Sequence, residues 1–303
     1  MEVFDSIIVG GGIAGLQAAI QLGRYGHRIA VVDSENGRST LCRAYHNVLG
    51  WPDGISGNKL RGLGRLHAER LGVHFAKDEV VQATQSEANE DGFVLTGLSG
   101  ITYRGKTLLL ATGIMDRFPD LPGLKPCLGL TVYVCPDCDG YEIKGRRTIV
   151  LGSGDVGANM ALLLSYWTRE IVYVNHERKQ TSPEVERKLQ EEGFECYTEE
   201  IDSVDAEGDG QFRGVILKNG QFIQGERGFI AFGGNAVLSG LAEQLGVERI
   251  ENKHILTDPR SKMTNVPNVW AAGDVGVHAE QVTIAMGEGS QAAIWMHKAL
   301  VKK

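Results

Sequence analysis

Ser6-Ile7-Ile8-Val9-Gly10-Gly11-Gly12-Ile13-Ala14-Gly15 is the stretch from which the fold is read. A β-branched run, Ser6 to Val9, meets a glycine turn. A helical pattern follows from Leu16 to Tyr25, and a second apolar strand, Ile29 to Val32, ends in Asp33. Strand, glycine turn, helix, strand and acid is the order of a dinucleotide-binding βαβ unit. Gly10 permits the tight turn, Gly12 lets backbone N–H groups approach a pyrophosphate, and Gly15 lets the helix pack closely on the strand. The helix N-terminus then stabilises the phosphate charge. Asp33, 18 residues after Gly15, is placed to accept hydrogen bonds from a ribose.

The module recurs. Thr148 to Leu151 lead into Gly152-Ser153-Gly154-Asp155-Val156-Gly157, a helix is expected from about Ala158 to Trp167, and a strand from Ile171 to Val174. Asn175 stands 18 residues after the last glycine, so the second copy lacks the carboxylate that recognises a 2′-hydroxyl. Between the copies, Val80 to Leu110 alternates β-like runs with polar turns and closes on Ala111-Thr112-Gly113. Near the end, an apolar strand from Val266 runs into Gly273-Asp274, followed by a last helix from about Gln281 to Leu300. Chain crossings are expected near Ile114 to Pro122 and Ala236 to Leu241, where Gly and Pro interrupt the pattern.

Composition bounds the partners. In 303 residues, 31 Lys+Arg against 38 Asp+Glu give a net charge of −7 with no long basic run, which argues against nucleic acid and anionic membrane surfaces. No stretch reaches about 18 uninterrupted apolar residues, and the acidic start Met1-Glu2-Val3-Phe4-Asp5 does not read as a signal peptide. The expectation is a cytoplasmic protein. Five cysteines do not make a disulfide scaffold, and only Cys135 and Cys138, in Cys135-Pro136-Asp137-Cys138, are close in sequence. In a reducing compartment such a pair is more often redox-active or metal-binding than a staple. With no second cysteine pair, half a zinc site carries less weight, as does an inert surface pair. Cysteines three apart share one face of a first helical turn, and a helix N-terminus lowers a thiol pKa from about 8.5 toward about 7. Asp139 is placed for proton transfer or for capping a helix. Cys42, Cys127 and Cys196 read as incidental thiols.

With both glycine fingerprints, Ala111-Thr112-Gly113, Cys135-Pro136-Asp137-Cys138-Asp139-Gly140 and Ala271-Ala272-Gly273-Asp274-Val275, the chain resembles the low-molecular-weight thioredoxin reductases over nearly its whole length. The resemblance implies an α/β fold of two Rossmann-like FAD/NAD(P)-binding-type domains, the second inserted into the first. Residues 1–116 and 241–303 would form the FAD domain, residues 117–240 would carry the redox pair, and the two would rotate during turnover. Gly10, Gly12, Gly15 and Asp33 match the family's adenosine and pyrophosphate contacts, and Asn47 a residue near the flavin. Asp274 matches the carboxylate on the ribityl chain, and Gln281 and Val282 a helix end aimed at the flavin ring. Ile13, Ala14, Ser34, Val81, Ala111, Thr112, Gly113 and Gly273 complete the implied cofactor set. By the same resemblance Cys138 faces the flavin, Cys135 exchanges with the external disulfide, and Asp139 moves a proton.

Two departures concern the second nucleotide. Members that use NADPH carry a His-Arg-Arg cluster where this chain reads His176-Glu177-Arg178-Lys179, and paired glutamates where it reads Ala158-Asn159-Met160. Arg178 and Lys179 read as a solvated turn, and His46 as a packed or surface histidine rather than a base. The chain is thus similar to divergent members without the usual NADPH motifs. These include ferredoxin-dependent flavin thioredoxin reductases, a diflavin-linked disulfide oxidoreductase, and dithiol oxidases that use oxygen. The implied partners are thioredoxin or a small dithiol, ferredoxin or another electron donor, a second flavin or nucleotide at the second glycine loop, and a second copy in a homodimer. The alternatives are an NAD(P)H-dependent thioredoxin reductase and a flavin-binding redox sensor without turnover.

Overall fold

The computed structural model describes residues 3–86, 92–277 and 279–302. Two compact units divide the chain: Met1–Thr40, Gly57–Met115 and Ala236–Lys303 form the first, Leu41–Ser56 and Asp116–Asn235 the second.

In the first unit, β1 (Val3–Val9), α1 (Ile13–Arg24) and β2 (Ile29–Asp33) arise from the opening βαβ pattern. They are followed by α2 (Gly57–Glu69), β3 (His74–Lys77), β4 (Val80–Gln85), β5 (Phe93–Gly97), β6 (Thr102–Leu110) and the short β7 (Ile114–Met115). The sheet order is β3-β2-β1-β6-β5-β4. Period-two alternation sends Ile7, Val9, Leu108 and Leu110 to one buried face and Ile8 and Leu109 to the other, where Ala18, Leu22 and Met296 cover them. β1 has β2 on one side and β6 on the other, so the strand order reverses beside it. Open α/β sheets bind ligands outside the carboxyl ends of strands at such a reversal.

The second unit holds β8 (Val132–Tyr133), α3 (Pro136–Asp139), β9 (Thr148–Gly152), α4 (Gly154–Leu164), β10 (Ile171–Asn175), α5 (Pro183–Glu192) and β11 (Glu195–Tyr197). Next come β12 (Ile201–Glu207), β13 (Gln211–Leu217), β14 (Phe222–Gln224) and β15 (Arg227–Ala231). A parallel sheet β11-β10-β9-β15-β8 carries the second glycine turn, and β12, β13 and β14 form a separate antiparallel sheet. The chain then re-enters the first unit through β16 (Ala236–Val237), α6 (Gly240–Gln244), β17 (Val269–Ala271) and α7 (Val282–Val301). β17 pairs with the carboxyl half of β6.

Two boundaries differ from the sequence reading. Residues 236–240 belong to the first unit, because β16 pairs with β7, the Leu238 N–H donates to the Gly113 carbonyl, and Thr112 Oγ1 donates to the Leu238 carbonyl. Leu41–Ser56 belongs to the second: Arg43 Nη1 donates to the carbonyls of Pro126 and Asp209, its Nη2 pairs with the Asp209 carboxylate, and the Ala44 N–H donates to the Gly129 carbonyl. Among the described residues no helix is long and apolar enough to cross a membrane.

Candidate active site

The first glycine turn divides its labour by position. Gly10 has φ +103°, and a Cβ there would lie 2.3 Å from the Ala111 carbonyl oxygen, so β1 and β6 approach too closely for any side chain. A Cβ on Gly15 would lie 1.9 Å from the Gly10 carbonyl oxygen, which fixes α1 against the turn it leaves. Gly12, the N-cap of α1, faces open space: nothing stands within 4 Å of its ideal Cβ. An open glycine at the N-terminus of a twelve-residue helix leaves its backbone N–H groups accessible to an anion such as a pyrophosphate. Gly113, with φ +71°, also faces open space beside it.

Beside this turn lies a cavity of about 360 Å³ lined in part by Gly11, Asp33, Thr40, Asn58 and Arg61. Arg61 Nη2 donates to Asp33 Oδ2 at 2.7 Å, a partner the sequence reading did not foresee. Ala14 is a junction: an ideal Cβ on Gly273 would meet its Cβ at 2.8 Å, and one on Gly289 would meet its carbonyl at 2.2 Å. Arg38 Nη1 reaches Asp274 Oδ2 at 3.5 Å and Glu280 Oε2 at 2.6 Å, just before the Gln281 N-cap and Val282. Gly10, Gly12, Ile13, Ala14, Gly15, Asp33, Ala111, Thr112, Gly113, Gly273, Asp274, Gln281 and Val282 therefore share the first unit. Ser34 lies outside the cavity lining and accepts from the Asn36 N–H. Val81 sits at a register irregularity of β4, with its carbonyl taken by Gln244 Nε2. Asn47 is exposed and falls in the second unit.

In the second unit, Cys135 and Cys138 are joined as a disulfide with Cα atoms 5.3 Å apart. Cys135 is the N-cap of α3, Pro136 occupies the first turn, and the Cys138 N–H donates to Cys135 Sγ at 3.2 Å. A donor aimed at that sulfur favours its thiolate after reduction. Asp139 closes α3 and is half-buried. Gly140 is required by packing, because a Cβ would meet the Trp167 ring at 2.6 Å. His46 is exposed, with Nδ1 3.5 Å from Glu142 Oε1.

The second glycine turn differs from the first. An ideal Cβ on Gly154 would meet Lys179 Cβ at 3.2 Å and the Gln180 carbonyl at 3.3 Å, so the chain after β10 lies over it. Asn175, 4% exposed, accepts from the Gly154 N–H at 3.0 Å and donates to the Lys179 carbonyl at 2.7 Å. The residue standing where the first module has Asp33 is thus an internal tie. Asp155 Oδ1 accepts from the Ser182 N–H at 2.7 Å. Glu177 takes a bidentate grip from Arg117, with contacts of 2.8 to 2.9 Å, and pairs with Lys179 Nζ at 2.8 Å. The hydrogen-bonded Arg117 guanidinium, then the Lys179 ammonium, hold its carboxyl far below the usual range. Arg178 pairs with Glu199. Burial pushes His176 down, and its Nδ1 accepts from the Ile201 N–H at 2.8 Å.

Residues 4–289 match the model of the pyridine nucleotide-disulphide oxidoreductases. The chain belongs to that family. A thioredoxin reductase of Coxiella burnetii is 30% identical over 95% of this chain and 93% of its own. An alkyl hydroperoxide reductase component from Xanthomonas campestris pv. phaseoli is 30% identical over 97% of this chain, which spans 56% of that relative. The crystal structure of HlmI superposes with a TM-score of 0.86 at 30% identity, covering 98% of this chain and 92% of that one. This pyridine nucleotide-disulphide oxidoreductase is a thioredoxin reductase-like enzyme of two Rossmann-like domains, and the thioredoxin reductase-like family binds FAD.

Proposed function

We propose that the enzyme interconverts a dithiol and a disulfide, passing electrons between FAD in the first unit, the Cys135–Cys138 pair and an external thiol or disulfide, without NADPH at the second glycine loop. The contrast between open Gly12 and covered Gly154 carries this reading. Glu177 adds to it, because a carboxylate gripping Arg117 and Lys179 occupies the cations that a 2′-phosphate would need. Gly12, the α1 N-terminus, Asp33 and Asp274 would hold the cofactor, which when bound supplies a two-electron acceptor or donor. In the oxidising direction a substrate thiolate attacks Cys135 Sγ, the Cys135–Cys138 bond breaks, and Cys138 leaves as a thiolate. A second substrate thiolate then displaces Cys135, so the substrate departs as a disulfide and the pair holds two electrons. Asp139 manages the proton of the Cys138 sulfur. The reverse sequence reduces an external disulfide, and relatives named thioredoxin reductases make thioredoxin the first candidate. Ferredoxin or another protein donor would serve the flavin in that direction.

An NAD(P)H-dependent reading is favoured by the intact fingerprint Gly152-Ser153-Gly154-Asp155-Val156-Gly157. Anaerobic mixing with NADPH, NADH and dithiothreitol separates the two. Rapid bleaching of the flavin band by dithiothreitol alone supports the proposal; equally rapid bleaching by either nicotinamide overturns its statement about the second loop. Bound flavin that no donor reduces would favour a sensor. Flavin counted per chain after extraction decides whether the second loop takes another one.

A further inference from the structure

We infer that Glu288 is a positioning residue for the flavin: from within α7 its carboxylate holds the backbone of Gly273, and through it Asp274, with Lys262 as counter-ion. The inference rests on the reading of the first unit as the FAD site.

Glu288 is the one acid between Val282 and Val301, and it is 7% exposed. A carboxylate so placed is costly unless paired and hydrogen-bonded. Lys262 Nζ donates to Oε1 at 2.6 Å, and the Gly273 N–H donates to Oε2 at 3.0 Å. Gly273 itself has φ +78° and presses on Ala14 of α1, so it is located on one side by a helix that borders the pyrophosphate cradle and on the other by Glu288. The counter-ion is located as well. The Lys262 carbonyl accepts from the Ala271 N–H of β17 at 3.1 Å, and the Lys262 N–H donates to the Asp258 carbonyl at 2.8 Å. One turn along α7, Gln291 Nε2 donates to the carbonyls of Pro259 and Arg260, and Arg260 lies over the Trp295 ring. Positions 288, 291 and 295 share a helical face. That face fixes the turn carrying Lys262, and Lys262 with Glu288 fixes Gly273. Replacing a buried ion pair whole is often neutral or stabilising, so apolar side chains in this space would forfeit only the hydrogen bond from the buried Gly273 N–H. What they cannot do is orient the Gly273 amide.

The test compares wild type with Glu288→Leu/Lys262→Met and with Glu288→Gln, measuring FAD affinity of the apo-protein by flavin fluorescence and thermal unfolding of the same apo-protein. Losing a hydrogen bond to a charged acceptor predicts FAD binding about 10- to 100-fold weaker in the double variant and a somewhat lower unfolding midpoint, since the buried Gly273 N–H loses Glu288 Oε2, whereas Glu288→Gln, whose amide oxygen can still accept from that N–H, should bind FAD more tightly than the double variant. In an Asp274→Ala background the same pair of changes adds little, because it acts through that residue. Wild-type FAD affinity in the double variant overturns the inference, as does Glu288→Gln binding FAD as weakly as the double variant. A wild-type chain that binds no FAD overturns the site reading itself.

Discussion

Replacing Gly12 by alanine adds one methyl group at the N-cap of α1, where no heavy atom lies within 4 Å of the ideal Cβ and backbone angles of φ −74° and ψ −168° suit any L residue. Alanine narrows the unfolded chain, which favours folding by about 0.4–1 kcal/mol, and is a poorer N-cap than glycine by a similar amount. Stability should therefore move by less than about 1 kcal/mol. Binding is another matter. The methyl occupies the direction from which a pyrophosphate reaches the helix N–H groups, and losing one or two charge-assisted hydrogen bonds costs about 2–5 kcal/mol, roughly a 30- to 5,000-fold loss of FAD affinity. Gly10→Ala is the control: φ +103° and a 2.3 Å approach to the Ala111 carbonyl predict a folding loss of roughly 2–5 kcal/mol. Urea unfolding of apo-protein together with FAD titration reads both quantities. Gly12→Ala that folds normally and binds FAD as tightly as wild type would refute the assignment of the cradle.

Three further outcomes follow from the second unit. Asn175→Ala leaves a buried N–H and a carbonyl without their present partners and should destabilise that unit by about 2–4 kcal/mol; an unchanged denaturation midpoint would show that the tie does not matter. Gly140→Ala drives a Cβ into the Trp167 ring and should lose about 1–3 kcal/mol and slow reduction of the Cys135–Cys138 disulfide by dithiothreitol; normal stability and rate would contradict the packing argument. Glu177 has its folded pKa depressed, so its contribution is complete above the unfolded value of about 4.3 and is lost as pH falls through the lower folded value. Partial exposure limits it to about 1 kcal/mol, and the stability difference between wild type and Glu177→Gln should shrink below about pH 4.

The first βαβ unit is legible because its demands are local: Gly10 and Gly15 meet atoms of neighbouring backbone, and an apolar alternation names β1 and β2. The helix of the second module is harder to place. α4 begins at Gly154 rather than near Ala158, since two glycines in its first turn mask the helical pattern. The antiparallel strands β12 to β14 escape a reading from sequence, because the acids Asp202, Asp205 and Glu207 interrupt β12 and β14 has only three residues. Membership of Leu41–Ser56 in the second unit depends on Arg43 finding Pro126 and Asp209, partners some 80 to 170 positions away that no local pattern announces. Asn175 reads in sequence only as a lost carboxylate, because spacing reports where a side chain starts and not which way its amide turns. Glu288 does leave a signal, the one acid in a helix of mostly apolar and small residues, which marks a buried charge in need of a partner.

The central claim is that the flavin and the Cys135–Cys138 pair form one electron reservoir. Anaerobic titration of holoenzyme with dithionite, followed by flavin absorbance and thiol counting, tests it most directly. Wild type should take up twice the electrons of Cys138→Ser, both proteins retaining FAD, with thiols appearing as the flavin is bleached. Equal uptake by the two, or a wild-type disulfide that stays closed beside fully reduced flavin, would contradict the account.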